Sequence, residues 1–187
     1  MLLHRMLAIA VLASSSTVLA DAIDVNLSSD VAQIQYLAPM GKLGQGKSGG
    51  HVGLLFNDEN DGMGEIGLMV TSNVGDGSSV SLGVGIKGVG VTMNSNNAMA
   101  LALGGQVRVA PLPDKLFGII GNVHAAPDIV TVGDADSFTE VGVRLEYEIL
   151  PQAAAYVGYR KIKFGAKVGG LDYTVDEGGH IGVRVAF

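Results

Sequence analysis

Cysteine and tryptophan are absent from the 187 residues, and proline occurs only five times. The lack of cysteine excludes disulfides and thiolate metal sites. No apolar run approaches the roughly 18 residues of a membrane-spanning helix. Basic residues are scarce as well: twelve Lys and Arg against eighteen Asp and Glu leave a net charge of −6. With no basic stripe and no aromatic-interleaved basic patch, no nucleic-acid partner is expected. Apolar residues still make up 48% of the chain and are spread evenly, which argues against disorder.

The first residues, "MLLHRMLAIAVLASSSTVLADA", carry Arg5, an apolar run from Met6 to Ala13, small residues, and then Val-Leu-Ala ending at Ala20. That order is the layout of a cleaved export signal. Cleavage after Ala20 divides the chain into a signal, 1–20, and one domain, 21–187; cleavage after Ala22 is the alternative.

Beyond the signal, alternation with period two dominates. In "EVGVRLEYEI" (140–149), Val141, Val143, Leu145, Tyr147 and Ile149 point one way, while Glu140, Gly142, Arg144, Glu146 and Glu148 point the other. A helix of this segment would have no apolar face; a strand has two clean ones. In 98–109, Met99, Leu101, Leu103, Val107 and Val109 oppose Ala98, Ala100, Ala102, Gly104, Gln106 and Arg108. The segments 80–87 and 180–187 alternate likewise, the latter placing Ile181, Val183, Val185 and Phe187 on one face. Shorter alternation recurs at 23–27, 31–37, 51–56, 65–70, 116–125 and 153–164, with turn-rich stretches between. No segment after the signal reads as an amphipathic helix. The expected fold is all-β: an antiparallel up-and-down barrel of about ten strands, with eight as the alternative.

Three features favour a barrel that spans the outer membrane over a soluble one. The polar faces are rich in Gly and Ala and poor in Lys, which suits a crowded interior rather than a solvated surface. An export signal brings the chain to that compartment. The last strand ends on Phe187. With both termini on the periplasmic side, 38–50, "GDGSS" (75–79), "APLPD" (110–114) and "LPQ" (150–152) become inner turns. "NDENDG" (57–62), 127–136 and 166–178 become outer loops. The apolar faces then meet lipid: Leu101, Leu103, Val141, Val143, Leu145, Tyr147, Ile181, Val183, Val185 and Phe187. The lumen receives Lys87, Arg108, Arg144, Arg160 and Arg184 together with Asp24, Glu65, Glu140, Glu146 and Glu148. Gln33, Gln35, Gln106, Asn122, His124 and His180 add neutral partners. Five charges of each sign in a barrel this small predict a paired, largely occluded interior, with a narrow pore as the alternative.

The stretch "HAAPDIVTVGDADSFTEVGVRLEYEILPQAAAYVGYRKIKF", with "ALALGGQVRV" upstream and "DEGGHIGVRVAF" at the end, resembles the YfaZ-type outer-membrane proteins of Gram-negative bacteria. The resemblance covers roughly residues 21–187 and implies an outer-membrane β-barrel; it transfers no functional residues.

Candidate chemistry is sparse. "GKLGQGKS" (41–48) matches the phosphate-loop pattern G-x-x-x-x-G-K-S through Gly41, Gly46, Lys47 and Ser48. That loop needs a helix N-terminus after it, but "GGHVGLLF" follows, with two glycines and then strand alternation. Lys42 and Lys47 therefore read as solvated turn charges, and no nucleotide is expected. His124, Asp128, Asp134, Asp136, Asp176 and His180 would lie near the outer rim, where a hydrolase site would have to form; hydrogen-bonding roles are the simpler reading. "DENDG" lacks the calcium-loop spacing, so no metal and no cofactor are expected. The expected partners are outer-membrane lipid, lipopolysaccharide, and the barrel-assembly machinery through the C-terminal strand.

Overall fold

The computed structural model describes residues 21–58, 61–75, 79–93, 96–166 and 172–187. The expected signal, 1–20, lies outside the described residues. The strands are β1 (Ala22–Ser28), β2 (Val31–Leu43), β3 (Gly46–Asn57), β4 (Gly62–Asn73), β5 (Val80–Met93), β6 (Asn96–Val109), β7 (Phe117–Ala126), β8 (Thr131–Gly133), β9 (Ala135–Leu150), β10 (Ala153–Ala166) and β11 (Tyr173–Ala186). A single 3-10 turn, Asp128–Val130, precedes β8.

Each long strand pairs antiparallel with its neighbours, and β1 closes the circle on β11 from Ala22↔Ala186 to Ser28↔His180. Ten strands form the wall. β8 only fills a wedge: β7 pairs with β6 over Leu103–Val109, and β8 covers Ala98–Ala100 beyond it. Eight strands are excluded, because the short β1 is bonded along both edges. A closed ring leaves no unpaired edge for another chain to extend.

Two expected connections are instead strand. The stretch 38–50 belongs to β2 and β3, which turn only at Gly44 and Gln45. Gly44 has φ +62°, a conformation glycine adopts without steric cost. Pro39 does not stop β2, since it sits at a register shift between Pro39 and Gly41, where a missing N–H is tolerated. At the other end of the chain "DEGG" is not a loop. Glu177 pairs with Lys161 and Gly178 with Arg160, so β11 starts at Tyr173. A second register shift, near Ile162, lets both Val175 and Asp176 face inward.

The parity of the faces follows the sequence reading. Leu101, Leu103, Val141, Val143, Leu145, Tyr147, Ile181, Val183, Val185 and Phe187 are all exposed on the outside of the wall. Even-numbered partners on the same strands, such as Ala102, Glu140 and Glu146, are buried inside. One region breaks the expected pattern. Toward the end opposite the termini the interior is itself apolar, holding Leu55, Met63, Val89, Val91, Phe138, Ile162, Phe164 and Val175.

Candidate functional site

The interior divides into three layers along the barrel axis. At the end away from the termini lies the apolar layer. Phe138 and Phe164, each 1% exposed, face each other across β9 and β10 with ring centroids 4.9 Å apart and planes tilted by 58°. Leu55, Met63 and Ile162 are equally inaccessible. Beside this layer, Tyr173 donates a hydrogen bond to the buried Asp61, as does Asn57 Nδ2 at 3.1 Å.

The middle layer centres on Lys87. Its Nζ lies 2.6 Å from Glu140 Oε2 and 3.1 Å from Glu65 Oε2. Gln33 (3.0 Å) and Gln35 donate to Glu65 Oε1, and Asn122 donates to Glu140 Oε1 at 3.2 Å. Alongside, Arg160 grips Asp176 through Nε at 2.8 Å and Nη2 at 2.6 Å. Its Nη1 donates to Gln33, which also accepts from Asn26 at 2.8 Å. Every charged group in this layer has an opposite charge beside it, and Glu65, Glu140 and Arg160 have neutral hydrogen-bonding neighbours as well, the condition under which buried charge is tolerated.

The third layer, nearest the termini, is looser. Asp24 accepts from Tyr156 and from Arg184 Nε at 3.1 Å. Arg184 Nη1 also lies 3.2 Å from Glu146. Arg144 reaches Glu146 only at 3.5 Å and Asp24 at 3.9 Å, with its guanidinium 4.9 Å over the Tyr156 ring. Arg108 stands 3.8 Å from Glu146 and 3.7 Å from Glu148. A cavity of about 590 Å³ runs from the Lys87 layer past these groups toward the terminal end, where Ala22, Lys47 and Ala186 line it.

The ten charges assigned to the lumen from sequence therefore all lie in these two layers, but they form separate clusters rather than one network. Asp176 joins them as a sixth carboxylate. The rim candidates are corrected. His124, His180 and Asp176 sit within β7 and β11 and point inward, not into loops at the rim. Among the described residues, Nδ1 of His124 and Nδ1 of His180 have no hydrogen-bond partner. Asp134 accepts instead from the Asn97 amide at 2.9 Å, and Asp136 from the Ser137 hydroxyl at 3.0 Å. The phosphate-loop look-alike closes the β2–β3 hairpin: Lys42 pairs with Lys47, both exposed, with no helix after them. The acidic "NDENDG" stretch lies partly outside the described residues. No group of three metal-ligating side chains occurs among the described residues.

Sequence reasoning missed His51, whose ring points into the cavity. The signal was the glycine opposite it. A Cβ at Gly67 would come within 2.3 Å of the His51 ring, and the pairs Gly104–His124 and Gly182–Tyr156 repeat the arrangement at the same distance. In an interior only wide enough for side chains, each bulky polar ring lies flat over a glycine on the neighbouring strand. This is the physical reason the inward faces carry so much glycine.

Comparison with known proteins agrees with the architecture. The family model described as YfaZ precursor matches residues 2–187. Among solved structures, the KdgM porin in complex with disordered oligogalacturonate superposes with TM-score 0.50 at 9% identity, covering 90% of this chain and 99% of that one. A second KdgM porin structure gives 0.46 at 12% identity over the same shares. OmpT of Vibrio cholerae gives 0.42 at 14%, covering 84% and 56%. No curated protein matches. The exposed apolar belt, the closed ring of ten strands and the family match describe a small outer-membrane β-barrel, and the chain belongs to the YfaZ family.

Proposed function

We propose that this barrel is non-conducting and non-enzymatic, with an anchoring or structural role in the outer membrane. The observation that carries the reading is the layer of Leu55, Met63, Phe138, Ile162 and Phe164 across the interior, each 1% exposed. Ions crossing there would have to shed hydration against apolar side chains that offer no replacement for it. With the termini on the periplasmic side, as an even-stranded barrel allows, this layer faces the cell exterior and the cavity faces the periplasm. Outer-membrane lipid and lipopolysaccharide are the partners of the apolar belt, and the assembly machinery engages β11.

A narrow pore for small solutes is the second reading, favoured by the charged cavity and by likeness to a porin fold. Planar-bilayer recordings separate the two. The occluded barrel gives no steady unit steps. Reproducible steps that vanish in Arg144→Ala or Glu146→Ala would overturn occlusion and place the constriction in the third layer.

A further inference from the structure

The cavity's lining is markedly one-sided. Among the described residues, Lys47, Lys87, Arg144, Arg160 and Arg184 line it, and Glu140 is the one carboxylate that does. Asp24, Glu65, Glu146 and Asp176 pair with these cations inside the barrel but do not themselves line the cavity. The charged side chains presented to the cavity are therefore mostly cations, although the interior as a whole is close to balanced. On the cavity's side away from Arg144 of β9, Leu37 and Pro39 of β2 and Met69 of β4 give it an apolar wall.

Arg144 has donor capacity to spare. Its contacts with Glu146 and Asp24, 3.5 Å and 3.9 Å, exceed the roughly 2.7–2.9 Å of a charge-assisted hydrogen bond. Its Nε is buried and donates to nothing among the described residues, and Nδ1 of His124 and of His180, both on the same cavity, are likewise unpartnered. A buried polar atom left unpaired costs about 1–3 kcal/mol, so a pocket that keeps several is poised to receive a partner. Space is available too: a Cβ at Gly49 would meet nothing nearer than 3.6 Å. At the mouth, the exposed Lys47 raises the local concentration of anions.

We propose that the half-open lumen is a binding cup for a small organic carboxylate, with the carboxylate held by Arg144 and an apolar body resting on Leu37, Pro39 and Met69. This proposal concerns the open end alone and does not depend on whether the other end conducts. Titration calorimetry of the whole barrel in lipid nanodiscs tests it, with empty nanodiscs as the blank. The probes are benzoate, its neutral isostere benzamide, and inorganic phosphate. Benzoate is expected to bind at least tenfold more tightly than benzamide and than phosphate. Arg144→Gln, with heat-modifiable gel migration as the folding control, is expected to erase the preference for benzoate over benzamide. Gly49→Leu, which fills the cup without touching a charge, is expected to abolish binding of both. Equal affinity for benzoate and benzamide, phosphate binding as tight as benzoate, no binding at all, or an undiminished preference in Arg144→Gln would each overturn the proposal.

Discussion

Lys87→Met tests the middle layer most severely. Lys87 Nζ touches a carboxylate oxygen on each side, at 2.6 Å and 3.1 Å. Those two oxygens can therefore be no more than about 6 Å apart, and with the lysine gone their repulsion at an effective dielectric near 20 is ~3 kcal/mol. Gln33, Gln35 and Asn122 stay as hydrogen-bond donors but bring no charge. Removing one member of a buried ion group typically costs about 3–5 kcal/mol, so the two routes to the magnitude agree. The assay is urea unfolding in lipid vesicles, followed by the gel mobility difference between folded and unfolded barrel. The triple variant Lys87→Met/Glu65→Gln/Glu140→Gln removes the charges together and is expected to recover most of the loss. If the single variant lies within about 0.5 kcal/mol of wild type, the triad does not stabilise the interior as argued. If the triple variant loses as much as the single, the cost is packing rather than charge.

Phe138→Ala leaves a void in a layer with no water access and is expected to cost about 3–5 kcal/mol in the same unfolding assay. Gly182→Ala drives a Cβ into the Tyr156 ring and breaks the bond from Tyr156 to Asp24; adding Tyr156→Ala is expected to relieve the strain, giving a clearly non-additive double-mutant cycle. Gly67→Ala and His51→Ala are expected to show the same coupling, and additivity in both pairs would refute the ring-over-glycine account. Lys47→Ala touches an exposed side chain and is expected to change stability by no more than about 0.5 kcal/mol.

Much of this was legible because a barrel wall separates two environments and strand parity reports them directly. Val141 to Ile149 and Ile181 to Phe187 could be assigned to the outside by counting in twos, and the inward charges followed as their complement. Glycine and proline misled where the interior uses them for space rather than for turns. "APMGKLGQGKSGG" reads as a connection, but Pro39 occupies a register shift and Gly49 and Gly50 border the cavity. "DEGG" reads as a turn, but its glycines face the neighbouring strand across from Tyr159 and Arg160. The apolar layer was hidden for a different reason. In "GLLF" the alternation of Leu54 and Phe56 marks the outer face, but Leu55 between them faces in, and a single apolar residue on the inward face does not announce a whole layer. Some ion pairs join side chains three strands apart, such as Lys87 on β5 and Glu140 on β9, and no local pattern records that.

The absence of native cysteine allows the most direct test of a lumen closed on one side. Thr71 lines the cavity, so Thr71→Cys introduces a single thiol into the cup. A membrane-impermeant maleimide applied to intact cells is expected to leave it unmodified, and the same reagent after permeabilisation of the outer membrane is expected to modify it fully. Rapid labelling in intact cells would mean that the cup opens to the exterior, and would contradict the account.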